Sequence, residues 1–192
     1  GATIQTEAPK QIYALPPVAN TKSLNFDGSN DYLDLGASST FFSTNVNTIS
    51  FWFKIGDTDA TTGSGDERIF VSNSDTGGSD LRIVVATSGK ITVDFWNGSG
   101  LSSTAGGPVV DDNLWHHFVF TTTASAQALY VDGALVTTTT HTRSSRAGSV
   151  AATVAAHVTS ALYANMSADE LGIWGVALSV ENVKALYNRG RP

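Results

Sequence analysis

The chain has 192 residues, of which 41% are hydrophobic and 15% charged, and its formal net charge is −6 at pH 7. The apolar fraction is large enough to bury one sizeable core, which excludes a chain that is disordered throughout. The negative charge argues against nucleic acid as a partner, because phosphate neutralisation needs a basic surface. No run reaches transmembrane length, so membrane insertion is not expected, and the absence of cysteine excludes disulfides and thiolate metal sites.

The chain begins with a segment that differs from the rest. Residues 1–22 contain two adjacent prolines and little periodicity, and we interpret them as a linker or an edge segment before a domain of residues 23–192. In that domain, short β-branched and aromatic runs alternate with Gly, Asp, Asn and Ser, which predicts strands. In chain order the predicted strands are residues 23–26, 32–35, 48–55, 68–72, 81–87, 90–96, 114–122, 127–131, 134–140, 150–158 and 170–174.

Two tight hairpins and one helix are specific predictions. Gly89 and the pair Asp132 and Gly133 each stand between two apolar runs, and glycine tolerates the positive φ angles of such turns. Ser179 precedes residues 180–187 and is placed to cap a short C-terminal helix, and Gly190 is placed to stop it. The order of elements predicts an all-β, two-sheet antiparallel sandwich with one short helix at its end.

Strand parity separates two faces of each strand, because successive side chains point to opposite sides of a sheet. One set is plainly core. The other set holds the pair Trp52 and Trp96 with Arg82 and Asp94. An aromatic ring packs against the C–H face of a sugar while polar groups pair with its hydroxyls. These four residues are therefore the candidate carbohydrate site.

Two alternatives remain open for this site. Loops or the helix could cover the outer faces, in which case the tryptophans would belong to a second small core. The ligand could instead bind the two long polar loops of residues 57–66 and 73–80, since long polar loops often carry function. The acidic residues of these loops are Asp57, Asp59, Asp66, Asp75 and Asp80.

Three sequence motifs carry a family resemblance. SLNFDGSNDYLDL followed by TISFWFKI, then LWHHFVFT with LYVDGALV, and finally ADELGIWGVALSVENVKALYNRG stand in one order along the chain. Together they resemble the laminin-G-like, concanavalin A-like jelly-roll modules. The resemblance implies a jelly-roll β-sandwich. It implies less about function, because this fold carries lectins, glycosidase-appended modules, adhesion domains and viral modules.

The same resemblance implies a structural calcium ion. Members of the superfamily often hold calcium at a sheet edge with carboxylates from the first and last strand regions. The matching positions here are Asp27 and Asp169, which would join the two ends of the domain. Oxygen ligands of this kind suit calcium as a hard cation. The residues before Asp169 depart from the family pattern, which puts the carbonyl ligands in doubt.

Catalysis is not expected. Glycosidases of this fold use two carboxylates on one strand face, and no glutamate here has a carboxylate two residues away on a predicted strand. Asp94 stands alone on its strand, and the pair Asp111 and Asp112 is expected to form a turn before the next strand. The adjacent His116 and His117 point to opposite faces and cannot share a metal. We interpret them as hydrogen-bonded structural histidines.

The sequence therefore favours a non-catalytic module that binds a glycan or polysaccharide on a surface, with calcium as a structural ion. Such a module would be extracellular or surface-exposed and could be one domain of a larger surface protein. The alternative is an interaction or decoration domain of an extracellular or viral assembly that has no sugar pocket. The low proportion of charged residues favours a neutral sugar.

Overall fold

The computed structural model describes residues 22–37, 46–56, 67–73, 79–96, 101–140, 151–157 and 161–189. Within these ranges the chain forms strands and one α-helix. The strands are β1 Leu24–Asp27, β2 Leu33–Ala37, β3 Asn47–Ile55, β4 Glu67–Asn73, β5 Ser79–Val85, β6 Ile91–Trp96, β7 Leu101–Gly106, β8 Trp115–Thr122, β9 Ala126–Val131, β10 Ala134–Thr140, β11 Ala151–Val154, β12 Ala156–His157, β13 Leu162–Tyr163 and β14 Asn165–Trp174, and the helix is α1 Val180–Arg189.

Two six-stranded sheets build the domain. The first sheet has the order β1-β14-β3-β8-β9-β10 and the second has the order β2-β11-β4-β5-β6-β7. All of their strand pairs are antiparallel. A short ribbon of β12 and β13 forms a separate pair. The prediction of an all-β, two-sheet antiparallel sandwich with one C-terminal helix is confirmed.

The inner faces of the two sheets form one apolar core. The first sheet contributes phenylalanines at Phe51, Phe53 and Phe118, which are at most 1% exposed. The second sheet contributes Ile83 and Val93, which are fully buried in the same cluster. These are the side chains that strand parity assigns to the core. Truncating one such phenylalanine to alanine typically costs about 3–5 kcal/mol.

Both predicted hairpin turns form. Asp132 and Gly133 have φ angles of 52° and 74°, which both central residues of a type I′ turn require. This turn joins β9 to β10, with Val131 paired to Ala134. Gly89 has φ 71° in the turn between β5 and β6, where its N–H donates to the carbonyl of Ala86 over 2.8 Å.

Two strands were not predicted from the sequence, the two-residue β13 and the longer β7. β7 has the sequence LSSTAG, which lacks the β-branched and aromatic run that indicates a strand. It forms the edge of the second sheet beside β6. Thr104 of β7 hydrogen-bonds Thr139 over 3.0 Å, and the Gln127 amide donates to both threonine hydroxyls. This polar cluster joins the edges of the two sheets.

The C-terminal helix packs on the outer face of the first sheet. The Ser179 hydroxyl accepts the N–H of Asn182 over 3.3 Å, which is the predicted N-cap. Val183 is fully buried against Val119 and Tyr130 of the sheet. In the part of the chain that the structure describes, no helix is long and apolar enough to cross a membrane. The predicted helix stop at Gly190 lies outside the described residues.

Candidate functional site

The four predicted ligand-binding residues lie on two different sheets. Trp52 is on β3 of the first sheet, whereas Arg82 is on β5, and Asp94 and Trp96 are on β6, of the second. Neighbouring residues along each strand belong to the common core, so by parity the described side chains of Trp52, Arg82 and Asp94 point away from it. The two outer faces of a sandwich point in opposite directions. The prediction of one site that combines all four residues is therefore wrong.

Trp52 is enclosed by the C-terminal helix. It is only 3% exposed, and its indole stacks on the ring of Tyr187 with 5.6 Å between centroids and 19° between planes. The His117 imidazole lies 5.0 Å from the same indole. Trp52 is therefore not available as a surface platform for a sugar. The alternative of a second small core is the one that the structure shows for this tryptophan.

The outer face of the second sheet carries an ion pair. Arg82 and Asp94 are directly opposite each other on β5 and β6. The Arg82 Nε donates to Asp94 Oδ2 over 2.9 Å, and a terminal guanidinium nitrogen donates to the same oxygen. The Asp94 side chain is 6% exposed and the Arg82 side chain 25%. The pair therefore fixes a buried carboxylate beneath a guanidinium that still reaches solvent.

Further cationic and ionisable groups lie on this face. Arg68 on β4 is buried and pairs in register with Val84 of β5. His157 on β12 is half-buried, and its pKa is lowered below the ordinary value, first by burial and then by the charges of Arg68 and Arg82. Both arginines therefore lie close enough to His157 to disfavour its protonated form.

The structure leaves part of the predicted site undescribed. Trp96 lies two residues after Asp94 on β6, so by parity it belongs to the same face, but its side chain is outside the described residues. Its role as an aromatic platform stays a prediction. Most of the acidic loop residues also lie outside the description, as does the side chain of Asp80. The loop alternative stays a prediction too.

The predicted calcium ligands do not meet. β1 pairs with β14, so the two ends of the domain are joined, but Asp27 is opposite Asn165 and not Asp169. The offset of four residues corresponds to about 13 Å along a strand, too far for two aspartates to share one ion. Asp27 instead accepts the N–H of Ser29 over 2.8 Å, and Asp169 that of Glu170. Nowhere in the described ranges do three carboxylate or imidazole groups converge on a metal site.

The two histidines have different environments, as their opposite directions predict. Both ring nitrogens of His116 face carboxylates, those of Asp132 and Asp112. His117 Nε2 hydrogen-bonds the Ser50 hydroxyl over 2.9 Å, and its Nδ1 is buried with no hydrogen-bond partner. A relay through His117 would need an acid at Nδ1. Burial lowers the pKa of His117 to about 4, so this ring is neutral, and the helix covers it.

Sequence reasoning missed the acids that hold His116. Asp132 was predicted only as a turn residue and Asp112 as part of a turn before β8. The turn prediction for Asp112 is confirmed, since its Oδ1 accepts the N–H of Leu114 over 2.9 Å. The available signal was the spacing of four residues between Asp112 and His116. No local pattern indicates that Asp132 approaches the same ring from the next hairpin.

Comparison with known proteins identifies a matching family and solved structures with a similar fold. A family model, Laminin_G_3 of the concanavalin A-like lectin/glucanases superfamily, matches residues 27–184. The CBM40 of Ruminococcus gnavus IT-sialidase, solved bound to α2,3 sialyllactose, is 14% identical with a TM-score of 0.69; the match covers 87% of this chain and 97% of that one. Among curated proteins, none matches the chain.

Two further structures resemble the chain at similar identity. The binding domain of Paraclostridial Mosquitocidal Protein 1 is 16% identical with a TM-score of 0.67, and the match covers 87% of this chain but only 45% of that one. A heptameric SAP-like pentraxin from Limulus polyphemus is 14% identical with a TM-score of 0.64, over 88% and 83% of the two chains. Identities this low show a common fold alone. The family match spans most of the sequence, and the chain therefore belongs to the Laminin_G_3 family of the concanavalin A-like superfamily.

Proposed function

We propose that this domain is a non-catalytic carbohydrate-binding module that binds its glycan on the outer face of the second sheet. The observation that carries the proposal is the Arg82–Asp94 pair, a buried carboxylate that holds a partly exposed guanidinium in place. A polar group fixed in this way needs little reordering when a ligand arrives, which favours binding. The helix occupies the opposite outer face.

The face combines the groups that a sugar needs. Contact with Asp94 engages the Nε and one terminal nitrogen of Arg82, and the remaining N–H groups of a guanidinium can donate to ring or exocyclic hydroxyls. Thr92 lies two residues before Asp94, on the same side of β6, and is partly exposed. In this proposal Trp96 supplies the aromatic platform for the sugar C–H groups.

Family and neighbours support the same class of function. The family description names lectins and glucanases, both of which bind carbohydrate, and one similar domain was solved with sialyllactose. Others are described as binding domains of toxins. Display on an extracellular, cell or virion surface beside other domains fits this class, because several weak sugar sites on one surface gain affinity through multivalency.

The test is a glycan array that contains neutral and sialylated sugars, probed with the domain in a multivalent form. The expected result is a set of hits that share one terminal sugar. R82K keeps the positive charge but loses the planar donor fork, and we expect it to weaken those hits at least about tenfold. K54M is the matched control, since it removes a cation from the opposite outer face and leaves binding unchanged.

The array also separates the alternatives. An absence of hits for the folded domain refutes the sugar-binding proposal and favours an interaction or decoration domain without a sugar pocket. Hits that R82K leaves unchanged keep the function but move the site away from the second sheet, toward the loops of residues 57–66 and 73–80. Folding of each variant is checked beforehand by its circular dichroism spectrum and unfolding midpoint.

A further inference from the structure

One imidazole lies between two carboxylates at the end of the sandwich. His116 Nδ1 is 2.8 Å from Asp132 Oδ2, and His116 Nε2 is 3.1 Å from Asp112 Oδ1. Asp132 belongs to the β9–β10 turn, whereas Asp112 belongs to the crossover of residues 107–114 that leads from the second sheet to the first. A single ring thus bridges these two segments.

The hydrogen bonds that His116 can make depend on whether one or both of its ring nitrogens carry a proton. An imidazolium has an N–H at both nitrogens and can donate to both aspartates, whereas a neutral imidazole has only one. Without the second proton, a ring lone pair faces a carboxylate oxygen. Asp112 is the more exposed acid, with 40% side-chain exposure against 32% for Asp132. Turning its carboxylate from the ring to solvent therefore costs less free energy than it would for Asp132.

The surrounding charges favour the protonated ring. The hydrogen bond with Asp132 raises the pKa of His116 most, burial opposes it, and Asp112 raises it further. Burial acts to raise the pKa values of both aspartates, but their hydrogen bonds and the imidazole lower them overall. The Phe53 ring packs 6.2 Å away on β3.

Other charged groups near this site do not face the ring. Lys54 on β3 and His117 on β8 lie on the opposite side of the sheet by parity. Lys184 on α1 borders the groove beside Asp132, and the charges that act on the pKa of His116 are those of Asp132 and Asp112. Among the described residues, the two aspartates are therefore the charged groups that face this imidazole.

The crossover has a fixed part and a part that depends on Asp112. Val110 is buried, and its N–H donates to the Gly89 carbonyl over 2.8 Å. The N–H of Leu114 instead donates to the exposed Asp112 side chain. Leu114 itself is 61% exposed, so its apolar side chain does not anchor the segment. Asn113 is fixed separately, because its N–H donates to the Ile55 carbonyl over 2.9 Å. Loss of the His116 contact therefore frees the Asp112 side chain and weakens its hydrogen bond with the Leu114 N–H, without unfolding the crossover.

We propose that His116 is a proton-dependent clasp: when protonated it holds the Asp112 side chain against the β9–β10 turn, and when neutral it releases that side chain. The turn side stays bound, because Asp132 Oδ1 also accepts the His117 N–H over 2.8 Å. The clasp does not depend on glycan binding, so a result that refutes one of the two proposals does not refute the other.

Nuclear magnetic resonance of the whole domain tests the clasp. Imidazole ¹⁵N shifts report the protonation of His116, and hydrogen exchange at Leu114, corrected for the intrinsic pH dependence, reports the release of Asp112. We expect protection of the Leu114 amide to fall about two- to tenfold as His116 loses its proton, the range of one exposed hydrogen bond. D112N should lower the pKa of His116 and make this protection independent of pH.

D34N is the matched control. Asp34 is an exposed carboxylate whose Oδ1 accepts the N–H of Gly36 over 2.8 Å, the same local contact as at Asp112. This variant should leave the titration of His116 unchanged. A His116 pKa equal in wild type and D112N, or protection at Leu114 that is constant through the titration, overturns the proposal. If D112N fails to fold, the titration and exchange in wild type decide alone.

Discussion

The indole of Trp52 and the phenol ring of Tyr187 are stacked, with centroids 5.6 Å apart, and so join a central strand of the first sheet to the C-terminal helix. His117 lies within 5.9 Å of the Tyr187 ring and completes an aromatic layer. This layer closes one outer face of the sandwich. The partly exposed guanidinium of Arg82 lies on the other outer face, beside Asp94, and this is the face on which we propose that the ligand binds.

The first prediction concerns the stack itself. Y187A should destabilise the domain by about 2 kcal/mol, less than the loss of a fully buried aromatic ring, because Tyr187 is partly exposed. Trp52 would then meet water, and tryptophan emission should shift to longer wavelength. Urea unfolding followed by circular dichroism measures the free energy. Y187F keeps the ring and should unfold like wild type; an equal loss in Y187F would show that the hydroxyl matters instead.

The second prediction concerns the turn beneath the helix. Gly133 has φ 74°, and a Cβ there would lie 2.9 Å from Cδ1 of Tyr187. Gly36 has φ 80° but no atom within 4 Å of its Cβ position, so it is a matched control. G36A should cost about 1–2 kcal/mol from backbone strain alone. G133A should cost about 1–3 kcal/mol more, because the helix must move.

Thermal or urea unfolding of both glycine variants checks this difference. Equal losses in G133A and G36A would mean that the helix yields without cost, and would contradict the tight packing of Tyr187 on the turn. In the Y187A background, G133A should lose less of the free energy of unfolding than it does in wild type, because the side chain that clashes is gone.

The third prediction is a pH dependence of stability. Burial lowers the pKa of His117 from 6.5 to about 4. Between these values the unfolded chain binds a proton that the folded chain refuses, so this group stabilises the fold above pH 6.5 and loses that contribution as pH falls. The full loss is about 3 kcal/mol. His116 acts oppositely: its raised pKa stabilises the fold at low pH and loses that contribution as pH rises.

H117Q separates the two histidines. Glutamine can still hydrogen-bond Ser50 but cannot titrate, so the variant should lose less stability than wild type between pH 7 and pH 4. H116Q should instead remove the loss of stability above pH 6.5. Urea midpoints at several pH values supply the comparison. Identical pH profiles for H117Q and wild type would show that folding does not lower the pKa of His117.

Local sequence patterns predicted most of this fold because strand parity and hairpin chemistry are local. Phe51 and Phe53 were assigned to the core by alternation, and Asp132 with Gly133 indicated a hairpin. β7 was missed because its residues are small and polar. Thr104 is held there by Gln127 and Thr139, which follow later in the chain.

The candidate site was harder to predict because it depends on relations between distant strands. Parity places Trp52 and Asp94 on outer faces, but it does not state which sheet each strand joins or which face a helix covers. The register between the first and last strands decides whether Asp27 and Asp169 meet, and no local pattern specifies that register. Arg82 and Asp94 meet because they flank one short hairpin, whose register follows from its turn.

The last prediction concerns the free energy of that pair. R82M leaves a carboxylate that is only 6% exposed without its guanidinium, and we expect a loss of about 3–5 kcal/mol. D94N keeps an acceptor opposite a guanidinium that reaches solvent, and we expect a loss of stability of about 1–2 kcal/mol. The double variant R82M/D94N should lose less than the two single losses combined, because the buried charge is gone. Urea unfolding of the three variants measures this coupling. A loss of stability in R82M no larger than that in D94N would show that Asp94 does not need the arginine. It would then contradict the proposal that Asp94 holds the Arg82 guanidinium in place for the glycan.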